Sequence, residues 1–193
     1  MNYVFGIVKP GRHACRLKSL QGVDDDYELH QGISRAQMWP TDAFFEMNEA
    51  YPDRLQLEDV VFNRNNVLVI SEKLRAFLEA DDALKNNEAL PVRLINHKGR
   101  TVDEPFFILH QLELQDCIDQ AESEVRRNPL DTDSFMSVRK LVIDEGKIDP
   151  EVQLFRMAWY PALPLFRRDL ADEIQKSGFT GIEFGEIADW AGK

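Results

Sequence analysis

Asp116 and Asp119, in the stretch LELQDCIDQ, have the types and spacing of a carboxylate pair for general acid–base work. Three residues apart, they would share one face of a helix. A capping role for Asp116 at a helix N-terminus accounts for the same residue without chemistry. With Arg156 and His110 they make up the set from which an enzymatic site could be built, provided the fold converges them in one pocket with perturbed pKa values. Arg156 lies beside Phe155 in an apolar run, where a structural role would pair it with an acid such as Asp149 or Glu183. Cys117 stands between two aspartates, which raise a thiol pKa and blunt its nucleophilicity, so a buried structural cysteine is expected. His13-x-Cys15 is one pair of metal-ligand types, His30, His97 and His110 stand alone, and Asp24-Asp25-Asp26 lacks the alternation and distal glutamate of a calcium loop. The sequence contains no G-x-S-x-G elbow, P-loop or G-x-G-x-x-G. Gly178 and Gly181 fall between a helix and a strand, the reverse of a phosphate-cradling order. Lys98 and Arg100 read as a solvated turn. The residues therefore assign no catalytic group, no cofactor and no metal.

Charge is more informative. The 193 residues carry 34 acidic and 23 basic side chains, a formal net charge of −11. That excess repels nucleic acid and anionic membrane and attracts a basic partner. It is unevenly placed: residues 1–20 hold four basic side chains and no acid, whereas residues 22–59 hold ten acids against Arg35 and Arg54, or −8. Asp24, Asp25, Asp26 and Glu28 lead this segment. A solvated, solubilising face and a partner-binding surface both account for it.

The remaining composition sets the frame. With 44% hydrophobic and 30% charged residues the chain has the make-up of a soluble globular protein, and its length fits a single domain over 1–193. No apolar run approaches the length of a bilayer span, the two cysteines show no paired spacing, and the N-terminus lacks a signal-peptide pattern. A cytoplasmic location is expected.

The elements that would position these residues follow from periodicity. Strands are predicted over Tyr3–Val8, 67–70, 90–95, 105–112, 135–143, 154–160 and 180–187. The strands 90–95 and 105–112 form a hairpin with Gly99 in its turn. Ser71 caps a helix running to Ala80, with Leu74, Phe77 and Leu78 as its apolar stripe. A helix within 163–176 has Phe166, Leu170 and Ile174 on one face and Gly178 as its left-handed C′ residue, with Phe179 placed to pack back over its last turn. Short helices are predicted over 42–50, capped by Thr41, and within 116–127. The sum is an α+β fold: a mixed or antiparallel sheet with a few flanking helices in one compact domain.

Three of these stretches carry a resemblance. NVLVISEKLRAFLEA, PVRLINHKGRTVDEPFFILHQLELQDCIDQAES, and KIDPEVQLFRM through GFTGIEF are similar, in order and spacing, to a bacterial family formerly catalogued as a domain of unknown function and now grouped as immunity family eleven of polymorphic toxin systems. The likeness covers 66–184, and residues 1–60 match weakly. It implies a cytoplasmic, non-enzymatic protein that binds a cognate toxin and silences it. It supplies no catalytic motif, and its recurrent positions, among them Ser71, Asp116, Arg156, Gly178, Thr180 and Gly181, read as caps, turns and core. A toxin acting on nucleic acid would be basic around its active site, and an acidic inhibitor would be steered to it. The expected contact surface is then 22–59, led by Asp24, Asp25, Asp26 and Glu28. The alternatives are an adaptor for another cellular protein, which predicts an exposed apolar patch, and an enzyme around Asp116, Asp119 and Arg156.

Overall fold

The computed structural model of the chain describes residues 1–192. Its contacts divide it into two compact units. The first comprises residues 1–7, 113–177 and those from Glu183 onward, and the second comprises Val8–Leu112 with Gly178–Ile182. Both combine sheet and helix, so the architecture is α+β with mixed sheets.

In the second unit the strands run β2-β5-β6-β4-β3, where β2 is Phe44–Glu46, β3 Val60–Val61, β4 Leu68–Ser71, β5 Asn87–Ile95 and β6 Phe106–Gln111. β5 and β6 form the predicted antiparallel hairpin, with Leu90 opposite Ile108 and Gly99 in the connection at φ +71°. β4 pairs antiparallel with β6 and leads directly into helix α1, Glu72–Ala80. Ser71 caps that helix as its sequence predicts: the Oγ accepts from the Leu74 N–H at 3.2 Å. Phe45, Val69, Leu90, Leu94 and Ile108 are buried at the centre of this unit's core. Each such side chain contributes on the order of 1.5–3 kcal/mol by leaving water.

In the first unit a sheet of order β12-β1-β11-β10-β7 is built from β1 Tyr3–Val8, β7 Leu114–Gln115, β10 Leu154–Met157, β11 Tyr160–Arg167 and β12 Ile182–Glu186. β11 lies antiparallel to both β1 and β10. Phe155, Met157, Leu165, Tyr3 and Phe5 share a core with Phe135 and Val138 of a separate two-stranded ribbon, β8 Glu124–Arg127 with β9 Phe135–Lys140. Helix α2, Arg168–Lys176, buries Leu170, Ala171 and Ile174.

Three predicted elements differ. Residues 42–50 hold no helix and contain β2, parallel to β5, with Ala43, Phe45 and Met47 buried at a period of two. Residues 116–127 hold no helix: Ile118 bridges to Ile143 and 124–127 is a ladder strand. The predicted strand 154–160 and the start of the following helix are instead a hairpin, β10–β11, and Phe166 belongs to a strand, edge-on to Phe184 at 5.0 Å. Pro161 and Pro164 argue against a strand from sequence. The ladder accommodates Pro164 opposite Arg156, where a bulge shifts the register. Gly178 takes the left-handed φ of +74° expected of C′, but Phe179 packs on Phe77 of α1, ring centroids 5.0 Å apart.

Candidate functional site

The acidic segment belongs to the second unit; ahead of β2 it is irregular apart from two 3₁₀ turns, Asp26–His30 and Ala36–Met38, and Leu29 is buried in the first of them. The four acids singled out in the sequence lie together there, and they divide by what they do. Glu28 forms an ion pair with Arg35, whose side chain is buried. Arg35 Nη2 also donates to the Asp24 carbonyl at 2.8 Å. The Asn65 side-chain amide donates to Asp26 Oδ2 at 2.5 Å. Asp24 and Asp25 are exposed, and Asp25 holds a left-handed φ of 54° at the start of the turn.

Further polar contacts fix the stretch to the sheet. The Arg35 N–H donates to Glu88 Oε2 at 2.9 Å, and Ser34 Oγ donates to Oε1 of the same carboxylate. His110 Nε2 donates to the Ile33 carbonyl at 2.7 Å, and Trp39 Nε1 to the Pro91 carbonyl at 2.8 Å. His110 thus holds a loop in place. The bonds to the Glu88 carboxylate and the Arg35–Glu28 pair are charge-assisted, roughly twice as strong as neutral ones, so this largely irregular stretch is held firmly.

Several other acids of 22–59 also have internal roles. Glu46 and Glu49 flank Lys18 at 2.7 and 2.9 Å. Glu58 accepts from the Gly11 N–H, and burial raises its pKa. Asp59 is a clamp that no local pattern reveals. Its Oδ1 accepts from Ser71 Oγ at 2.9 Å, and its Oδ2 accepts from the Thr180 N–H and Oγ1, 121 residues away. Gly181, at φ +85°, closes the same joint: a Cβ there would stand 2.0 Å from the Val60 carbonyl oxygen.

The members of the alternative enzymatic set are each engaged with separate structural partners. Asp116 Oδ1 accepts from Trp159 Nε1 at 2.7 Å, while Asp119 Oδ1 caps a turn through the Ala121 and Glu122 N–H groups. Neither caps a helix. Arg156 is 1% exposed, and its guanidinium donates to the Pro161 carbonyl. Neither Asp149 nor Glu183 neutralises it; burial alone pushes its pKa down, to about 10, and Nε has no partner. The reason is the proline-bearing hairpin, which brings a carbonyl to the arginine where sequence reasoning expected an acid. His110 belongs to the second unit and the other three to the first. Cys117 is fully buried, its thiol pushed up to about 12 chiefly by burial and only secondarily by Asp116. Among the described residues no group of three or more His, Cys, Asp or Glu is arranged to hold a metal ion, and no helix is long and apolar enough to cross a membrane.

No curated protein matches the chain. The model of the Immunity protein family (Imm11) matches residues 19–189, or 189 − 18 = 171 of the 193. The match spans most of both units, including the cap at Ser71, the Asp59–Thr180 clamp and the whole acidic segment, and extends the likeness well beyond 66–184. The chain belongs to the Immunity protein family (Imm11).

Proposed function

We propose that this protein neutralises a cognate bacterial toxin by binding it, as a cytoplasmic, non-enzymatic inhibitor. Family membership is the observation that carries the reading. Electrostatics supports its mode. The net charge of −11 and the exposed Asp24 and Asp25 favour a basic, nuclease-like toxin surface, and a negative field speeds encounter with one. In this reading the contact surface is the segment 22–59. Asp24 and Asp25 face the partner, while Asp26 and Glu28 hold the turn that presents them.

The test is co-purification of the tagged protein from its source organism with the neighbouring open reading frames intact. A stoichiometric partner encoded next door, toxic alone and silenced by this chain, is the expected result. A preparation without such a partner would return the weight to an adaptor role.

A further inference from the structure

Resting on the toxin-binding reading, we infer that the segment 23–39 binds the basic partner through apolar anchors, Tyr27, Ile33 and Met38, with Asp24 and Asp25 serving only to steer encounter.

Eight large apolar side chains are exposed among the described residues, and three fall in these seventeen: Tyr27 at 56%, Ile33 at 44% and Met38 at 74% exposure. Scattered exposed apolar groups are ordinary on any surface. This concentration is different because of what surrounds it. A loop in this position would satisfy its backbone with water and move freely. Here the segment is tied down by Arg35, Glu28, Ser34, Glu88, His110 and Trp39, and its apolar interior is supplied by Leu29. The backbone at Ile33 is pinned through its carbonyl while its side chain is left in water. Ordering a loop before binding removes the entropy that would otherwise be lost in the complex. Tyrosine and methionine are residue types enriched at the centres of protein interfaces.

The occupant follows from charge. Asp24 and Asp25 remain exposed at the edge of the 3₁₀ turn, and residues 22–59 carry −8 in the sequence. A segment that exposes both apolar side chains and carboxylates fits a protein partner that offers apolar side chains with lysine or arginine among them. Apolar anchors and flanking charges act on different rates: buried anchors set dissociation, and rim charges set association and its salt dependence.

The experiment uses the neighbour-encoded partner recovered with the full chain and measures both rate constants by surface plasmon resonance over a salt series. Tyr27→Ser/Met38→Ser should raise the off-rate by about tenfold or more with the on-rate within about twofold. Asp24→Ser/Asp25→Ser should slow association and flatten its salt dependence with the off-rate little changed. Leu130→Ser, at an exposed apolar position outside the segment, is the control and should change neither. Hydrogen exchange on the complex should show new protection at 23–39. A partner that binds the Tyr27/Met38 variant with an unchanged off-rate, or that protects other segments only, overturns this surface and leaves the immunity reading standing. Absence of any neighbour-encoded partner overturns both.

Discussion

Replacing Arg156 with methionine should make this protein more stable, although it removes a buried side chain that hydrogen-bonds. Arg156 is 1% exposed, no carboxylate among the described residues neutralises it, and burial brings its pKa down to about 10. A fall of about 2.5 at 1.36 kcal/mol per pH unit corresponds to about 3 kcal/mol favouring the unfolded chain. For a cation whose folded pKa is depressed, that penalty is complete below pH 10 and is relieved only as the pH rises further into the alkaline range. Methionine fills the volume of the arginine stem without the charge. Against the gain stands the half-buried Pro161 carbonyl, which loses its donor; an acceptor left unsatisfied away from water costs about 1–3 kcal/mol. The net expectation at pH 7 is a gain of about 0–2 kcal/mol, in keeping with buried ions replaced by apolar residues elsewhere. For a chain of this size it corresponds to a rise in Tm of up to roughly 8 °C. Urea denaturation with an unchanged m-value is the measurement. Arg156→Ala is the companion variant: it removes the charge but leaves a cavity, and should fall at least 2 kcal/mol or so below the methionine variant. A methionine variant less stable than the parent by more than about 1 kcal/mol would refute the reasoning, because the guanidinium would then be a net source of stability.

Other substitutions test the joints around the site. Gly181→Ala should cost more than about 2 kcal/mol, since φ +85° and a Cβ 2.0 Å from the Val60 oxygen leave no relaxed conformation; a urea midpoint unchanged from the parent would contradict this. Glu28→Ala should cost about 1–3 kcal/mol by stranding the buried Arg35 cation, whereas Asp24→Ser/Asp25→Ser should fall within about 0.5 kcal/mol of the parent. Equal effects from the two changes would remove the distinction between acids that hold the turn and acids that face solvent. Cys15 and Cys117 are buried with thiols pushed up to about 12, so iodoacetamide at pH 8 should label neither in the folded protein and both in denaturant, with mass spectrometry as the readout.

The sequence by itself determined the elements whose cause is local. The apolar, β-branched and aromatic run at Tyr3–Val8, the Ser71 cap with its apolar stripe, the Gly99 hairpin and the left-handed Gly178 all rest on backbone sterics and side-chain types within a few residues. Family membership was also legible, because the order of those elements is itself a pattern. The clustering of acids at 24–28 was visible for the same reason. Their division of labour was not. Whether Glu28 faces solvent or a buried arginine depends on where Arg35 and Glu88 come to rest, and whether Asp59 is idle or a clamp depends on Thr180, 121 residues along the chain. The alternating burial of Ala43, Phe45 and Met47 was present in the residues, but a helix fitted the same short window until β5 supplied a partner. Arg156 shows the limit most clearly. Its type called for an acid, and the register of a proline-bearing hairpin gave it a carbonyl instead. Long-range pairing decides which polar groups meet, because desolvation and hydrogen-bond geometry act only between groups that the completed fold brings within about 3 Å of each other.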